Sequence, residues 1–472
     1  MRKTKIICTL GPAVDNDEKI AKLLEAGMDC ARLNFSHGNH QEHRERINRA
    51  RRVSGDMRKP LAILLDTKGP EIRISTFVDG RAVLEEGQQF ILDDKKDMPG
   101  DATRVGLTYG DLWKSVKPGD QILVDDGKVE LAVVKADGGA ILCDVIHGGV
   151  LKDRKSINVP EVVIPMSFMS ETDKKDILFG IEMKVDFIAA SFVRSAEDVR
   201  EMRKFLNDNG GKNIWIISKV ESRQSIANLD EIIEASDGVM VARGDLGVEI
   251  PFSQIPAIQK EIIHKCTLKA KLIVTATQML ESMTKSPRPT RAEVSDVANA
   301  IFDGTDVIML SGETAAGNYP VESVKTMAEI ALTTEKSINY NREFIRDYLS
   351  LEKNIANTIC ASAYSAARFV GAKAIVAVTR SGRTAKRISD FRPNCPIIAV
   401  TLSDVGIRRL CLEWGVHPVA SEFKYNANDL FENARAKALE TGLVKEGDII
   451  VVVTSSDSHM TEVDDILRVC IA

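Results

Sequence analysis

The sequence has no apolar run approaching the ~18 residues that a membrane-spanning helix needs. Its longest runs, such as Ile449 to Val453, have the length of a strand. Basic blocks are also missing. Lys plus Arg is 63 against 68 Asp plus Glu, a formal net charge of −5, which argues against nucleic acid as a partner. The eight cysteines, at 8, 30, 143, 266, 360, 395, 411 and 470, include no CxxC pair. That scatter fits free buried thiols in a reducing compartment, not a disulfide framework or a zinc site. Arg2, Lys3 and Lys5 ahead of Ile6–Leu10 superficially suggest a signal peptide. The apolar stretch is too short, however, and Gly11-Pro12 breaks it. We therefore read it as a buried strand and expect a cytoplasmic protein. With 44% hydrophobic and 28% charged residues, the composition is that of an ordinary globular chain. Its 472 residues suggest roughly three domains.

In the first two thirds of the chain, short β-branched runs alternate with amphipathic helical patterns, the signature of βα units around a parallel sheet. Eight strands are expected, at Lys5–Thr9, Cys30–Phe35, Leu61–Asp66, Phe187–Ser191, Ile214–Glu221, Gly238–Arg243, Leu272–Thr277 and Val307–Ser311. Eight such units can close into a barrel. The interval between the third and fourth strands is about 120 residues and has a different texture, with Gly- and Asp-rich turns at Asp125-Asp126-Gly127, Asp137-Gly138-Gly139 and Gly148-Gly149. Turns of this kind join antiparallel strands, so an inserted β-domain is expected there. Beyond the helix near Val321–Ile338, a helical pattern at Leu351–Val370 precedes strands at Ala374–Thr379, Pro396–Thr401, Asp448–Thr454 and Asp465–Ile471, indicating an open-sheet α/β domain. The expected division is 1–69 with 166–345 for the (β/α)8 TIM barrel, 70–165 for the inserted small β-barrel domain, and 346–472 for the C-terminal α/β domain.

Active sites of such barrels lie at the C-terminal ends of the strands. Residues two apart in a strand share a face, so Lys219 and Glu221 point together into the barrel mouth, with Asp245 just beyond the next strand. Two carboxylates with few anionic neighbours suit Mg²⁺, which keeps waters and takes further ligands from substrate. Taken singly, Lys219 and Glu221 equally fit an ion pair capping a strand. The glycines of Arg243-Gly244-Asp245-Leu246-Gly247 mark a strand-to-loop turn whose free amides suit a carboxylate. Arg32 and Arg73, at neighbouring strand ends, suit phosphate or a surface ion pair. Asn34, Ser36, Asp66 and Thr67 offer four oxygen ligands with one charge, a set fitting a monovalent cation, although Ser36 and Asp66 also fit turn or helix caps. His37 fits either a nucleotide-phosphate contact or an exposed loop. Thr379-Arg380-Ser381-Gly382-Arg383-Thr384 joins a strand to a helix and resembles an anion site, or an ordinary capped turn.

Seven ordered segments make the sequence resemble the pyruvate kinase family: ARLNFSHG at 31–38, LLDTKGPEIR at 64–73, ISKVES at 217–222, MVARGDLGVE at 240–249, TATQMLESM at 275–283, PRPTRAEVSDVANAIFDGTD at 287–306 and MLSGETAAG at 309–317. The resemblance implies phosphoryl transfer from phosphoenolpyruvate to ADP, giving pyruvate and ATP. It implies Mg²⁺ (or Mn²⁺) on Glu221 and Asp245, and K⁺ on Asn34, Ser36, Asp66 and Thr67, with Glu71 following the K⁺-dependent form of the motif. Lys219 would stabilise charge on the transferring phosphoryl and the enolate, Arg32 and Arg73 would contact phosphate, and Thr277 would serve enolate protonation through a water chain. Substrate would also meet the Gly244 and Asp245 amides. Nucleotide would meet Asn34, His37, Arg73, Lys155 and Asn158. The insert would act as a lid, and the assembly would be a homotetramer. Two departures stand out. Ser156 and Glu161 occupy positions where the family often has hinge glycines, which implies a stiffer hinge. The segment Thr454–Glu462 has no glycine and carries acidic residues, so a phosphorylated sugar effector at Thr379–Thr384 is expected to carry one phosphate rather than two. A carbon–carbon lyase or mutase of the same fold would need neither the K⁺ set nor the lid. A silent regulatory protein would be expected to have lost Lys219, Glu221, Asp245 or Thr277.

Overall fold

The computed structural model describes residues 1–340, 354–421, 427–455 and 465–472. The boundary expected at 345, helix residues 351–353 and most of the Thr454–Glu462 segment lie outside the described residues.

Eight parallel strands close into a barrel: Lys5–Thr9, Cys30–Asn34, Ala62–Asp66, Phe187–Ala190, Trp215–Val220, Gly238–Ala242, Leu272–Ala276 and Val307–Leu310. Consecutive strands are neighbours, and the eighth pairs with the first from Lys5 opposite Val307 to Cys8 opposite Leu310. Most strand residues are buried on both faces, which is why these segments are continuous apolar runs. Inward residues such as Ile7, Leu64, Phe187, Ile217, Met240 and Val274 fill the barrel, and outward ones pack on the helices. The outer helices start where the sequence supplies caps. Asn16, Asn39, Ser195 and Thr290 each accept an amide of the first turn through their side chains.

The insert leaves after the third strand. Its strands form a seven-stranded sheet and a two-stranded ribbon around a separate core. Gly138 and Gly139, with φ of 56° and 91°, make the two-residue turn between Val129–Asp137 and Ala140–His147. Gly148 does not make the expected hairpin. Gly149–Lys152 pairs instead with the distant Arg81–Leu84.

The C-terminal sheet runs Val416–Ala420, Ile397–Thr401, Ala374–Val378, Ile449–Thr454 and Ile466–Ile471, with only the last strand antiparallel. The strand at Val416–Ala420 was not expected from the sequence, because Pro418 interrupts its pattern. The turn before it reaches the barrel. Cys411 and Leu412 join the cluster of inward-facing barrel side chains. Arg408 pairs with Asp186 at 2.8 Å, Arg392 with Asp306 at 2.6 Å, and Lys5 Nζ donates to Val416 O at 2.7 Å. All three barrel residues sit at strand starts, so the C-terminal domain closes the barrel floor and leaves the opposite mouth to the insert. Among the described residues, no helix is long and apolar enough to cross a membrane.

Candidate active site

A cleft of about 770 Å³ lies between the barrel mouth and the root of the insert. Its centre is the Lys219 ammonium, on the fifth strand. Lys219 Nζ lies 2.8 Å from Glu221 Oε1, 2.8 Å from Ser191 Oγ and 3.2 Å from Asp66 Oδ1. Burial alone would lower its pKa, but the carboxylates of Asp66, Glu221 and Asp245 outweigh burial and hold it above the ordinary lysine value. The group therefore stays cationic at any physiological pH.

Glu221 is 1% exposed. Burial raises its pKa to about 7; Lys219 opposes the rise, while Asp245 adds to it. Glu221 Oε2 accepts from Phe192 N at 2.7 Å. Oε1 lies 2.8 Å from the Lys219 ammonium and meets no other protein group, which leaves part of its acceptor capacity unused. That oxygen, with the half-buried Asp245 lining the same cleft, fits a divalent cation completed by substrate oxygens. Among the described residues, no cluster of three or more His, Cys, Asp or Glu side chains offers a full protein cage.

Asp66 is fully buried at the end of the third strand, in register with Asn34 on the second. Its Oδ2 accepts from Arg32 Nε at 2.6 Å, and Arg32 Nη1 donates to Thr9 Oγ1 at 2.8 Å. Burial would raise the Asp66 pKa, yet Arg32 and Lys219 overcome it and keep the carboxylate ionised. Asn34 Oδ1 accepts from Ser36 N at 3.0 Å, and Thr67 Oγ1 lies 3.3 Å from Ala189 O. Asn34, Ser36 and Asp66 line the cleft, whereas Thr67 is buried just behind it. These oxygens carry one full charge, a donor set that fits a monovalent cation.

Three expectations change. Arg73 is not at a barrel strand end. It lies in the insert strand Ile72–Arg73, held by both oxygens of Glu71 at 2.8 Å, and donates to Arg154 O at 2.7 Å. It still lines the cleft, from the insert side. Arg243–Gly247 is not a loop but the first turns of a helix spanning Arg243–Glu249, so Asp245 is a first-turn residue. The Gly244 amide is also engaged, donating to Thr277 Oγ1 at 2.8 Å. Thr277, just past the seventh strand, has φ of 70° and Gln278 has φ of 53°. A β-branched residue in that region is strained, and its Oγ1 donates to Ala276 O at 2.6 Å while accepting from Gly244 N.

Lys155 and Asn158, at the insert's return, face the same cleft. Lys155 pairs with Asp125 at 2.8 Å and Asn158 Nδ2 donates to Glu249 Oε1 at 3.0 Å. His37 lies on the exposed rim. The Thr379–Thr384 loop is not among the residues lining this cleft. It follows strand Ala374–Val378, with Gly382 at φ 91° donating to Thr379 Oγ1 at 3.0 Å before helix Arg383–Asp390. Gly382 suits that conformation as no side-chain-bearing residue would.

Sequence reasoning missed two members. Ser191 Oγ donates to Thr67 O at 2.6 Å and meets both Lys219 and Asp66. Arg243 clamps Thr277 O at 2.7 Å and pairs with Asp296 at 2.7 Å. Ser191 closes the fourth expected strand, so a survey of every strand end would have included it.

Profiles for the barrel domain and the alpha/beta domain of pyruvate kinase match residues 1–324 and 357–470. A pyruvate kinase of Clostridium acetobutylicum is 46% identical over 469 residues, covering 99% of both chains. That of Geobacillus stearothermophilus is 46% identical over 470 residues, covering 99% of this chain and 80% of the relative. A crystal structure of a pyruvate kinase from Cryptosporidium parvum superposes with a TM-score of 0.94 at 37% identity, covering 100% of this chain and 96% of the other. With both domain profiles matched and near-complete relatives at this identity, the chain is a phosphotransferase that belongs to the pyruvate kinase family.

Proposed function

We propose that this enzyme transfers a phosphoryl group from phosphoenolpyruvate to ADP with Mg²⁺ (or Mn²⁺) and K⁺, then protonates the enolate to pyruvate, the last step of glycolysis. The observation that carries the reading is the buried Lys219 ammonium, caged by Asp66, Glu221 and Ser191 at the barrel mouth. Glu221 and Asp245 would hold the divalent ion; Asn34, Ser36, Asp66 and Thr67 would hold K⁺. When bound, these ions supply positive charge against substrate phosphate and carboxylate.

Phosphoryl transfer asks a protein mainly for positioning and charge neutralisation. Lys219 does this without proton transfer, since its neighbours keep it charged throughout. Arg32 is held rigid by Asp66 and Thr9, so its remaining N–H groups are aimed before substrate arrives. Arg73 would bring a second cation from the insert side. The first-turn amides at Gly244 and Asp245 suit the substrate carboxylate, with the Thr277 hydroxyl giving up its bond to Gly244 as substrate binds. A threonine hydroxyl is too weak an acid to protonate an enolate alone, so Thr277 would work through water. Lys155, Asn158, His37 and Asn34 would meet the nucleotide, and the insert would act as the lid that excludes water.

Control by a phosphorylated sugar at Thr379–Thr384 completes the reading, with a monophosphate favoured over a bisphosphate, in a cytoplasmic homotetramer. The decisive assay is pyruvate release from phosphoenolpyruvate and ADP with Mg²⁺, comparing K⁺ with Na⁺. Turnover that needs Mg²⁺ and rises with K⁺ supports both ion sites; its absence across a panel of sugar phosphates refutes the reading. Strong activation by fructose 1,6-bisphosphate alone would refute the monophosphate preference.

A further inference from the structure

The chain leaves the barrel for the insert through Thr67–Pro70 and returns through Ile164–Phe168 into a helix spanning Glu171–Glu182. One buried carboxylate links the outgoing crossing to the start of that helix. Asp173 is 1% exposed. Its Oδ2 accepts from Ser170 N at 3.0 Å and Ser170 Oγ at 2.6 Å, completing a capping box on the returning side. Its Oδ1 accepts from Gly69 N at 3.0 Å, on the outgoing side. A helix cap needs only the first set of contacts. The bond to Gly69, 104 residues away in sequence, is additional.

Gly69 is held tightly. Its φ is 71°, and a Cβ there would lie 2.9 Å from both Ser191 Cβ and Ser191 O. Ser191 in turn contacts Lys219, Asp66 and Thr67 O. Two residues on, Glu71 N donates to Gly69 O at 2.9 Å, and Glu71 grips Arg73. The return crossing is tied separately, by Arg194 Nη1 donating to Met166 O at 3.0 Å.

We infer that Asp173 is a positioning residue for the insert: by bonding the outgoing crossing with one oxygen and the N-cap of the helix that receives the returning chain with the other, it keeps the Thr67–Gly69 turn registered on Ser191 and Lys219 while the insert beyond Glu71 moves. The movement of the insert and the link to ion and nucleotide affinity rest on the function proposed above; the tie between Gly69 and Asp173 rests on geometry alone.

Three variants separate this role from helix capping: Ser170→Ala, Asp173→Asn and Asp173→Ala. Ser170→Ala removes a cap partner without touching Gly69. It is expected to lower Tm while leaving amide exchange at residues 67–71, the KM for ADP and the K⁺ half-saturation within about twofold of the parent. Asp173→Ala is expected to speed exchange at residues 67–71 about tenfold, as loss of a hydrogen bond to a charged acceptor implies. It should also raise the KM for ADP and the K⁺ half-saturation several-fold, beyond any fall in kcat. Asp173→Asn retains an uncharged acceptor and falls between them; it carries the comparison if the alanine variant does not fold. If both Asp173 variants lose Tm as Ser170→Ala does and leave exchange and both constants unmoved, Asp173 is a helix cap and the inference fails. If the parent shows no turnover of phosphoenolpyruvate with ADP, the functional reading fails, and exchange at residues 67–71 still decides the tie between Gly69 and Asp173.

Discussion

Lys219 lies among the buried charges of the cleft. Lys219 balances two buried carboxylates, Asp66 and Glu221. Lys219→Met removes that balance and, on the proposed mechanism, the positive charge that meets the transferring group. We expect kcat to fall by about 10³-fold or more, the scale of losing a preorganised electrostatic contact, with secondary structure retained by circular dichroism. A parent-like kcat would refute its role. Glu221 sets a pH dependence. Burial raises its pKa to about 7, so if Glu221 holds the divalent ion as proposed, below that pH the ion displaces a proton. Apparent Mg²⁺ affinity should therefore rise with pH up to about 7 and level off above it. Titration calorimetry at several pH values measures the slope, and a flat profile from pH 5.5 to 8 contradicts it. Lys219, Glu221 and Asp245 were legible because strand periodicity alone places the first two on one face. Ser191 was within reach of a survey of strand ends, but its contacts and those of Arg243 depend on partners from other strands that meet only in the closed barrel.

At the scale of elements, the barrel strands were legible to within a residue or two. Buried parallel strands are short unbroken apolar runs, as Ala62–Asp66 and Leu272–Ala276 illustrate. The insert's pairing was harder, because register between Gly149–Lys152 and Arg81–Leu84 depends on contacts more than 60 residues apart in sequence. The hinge shows a related effect. Glu161, where the resemblance leads one to expect glycine, has φ of 72° and pairs with Arg223 at 3.2 Å. Its backbone takes the left-handed conformation that glycine adopts easily. The first strand is anchored by one helix residue, Glu335, which accepts from the amides of Lys3 at 2.9 Å and Thr4 at 2.7 Å. Glu335→Ala leaves buried amides unsatisfied. We expect a loss of about 2 kcal/mol, read as a lower urea midpoint with an unchanged m-value. An unchanged midpoint would show that water replaces the carboxylate without cost.

For the whole molecule, the barrel floor is the feature that linear reading could not supply. The sequence marks the C-terminal α/β domain as a separate unit, and its own sheet has its own clusters. Yet Cys411 and Leu412 belong to the barrel's interior cluster, and Arg408 pairs with Asp186, whose other oxygen accepts from Ile63 N at 2.9 Å. Nothing in the local pattern around Leu412 distinguishes a side chain packed in its own domain from one packed in another, because burial only demands an apolar residue. The consequence is thermodynamic. Leu412 is 0% exposed, so Leu412→Ala opens a cavity where two domains meet and should cost about 2–5 kcal/mol. If the barrel and the C-terminal domain are held together through this floor, the loss must appear in barrel signals as well. Trp215 reports on that side, for it packs against the same cluster and stacks edge-on with Phe187 at 6.0 Å. Urea unfolding followed through Trp215, in a background where Trp113 and Trp414 are replaced by Phe, should shift with the Leu412→Ala transition seen by circular dichroism. A Trp215 transition that stays at its parent midpoint while the circular dichroism transition moves would mean that the C-terminal domain unfolds from the barrel as an independent unit.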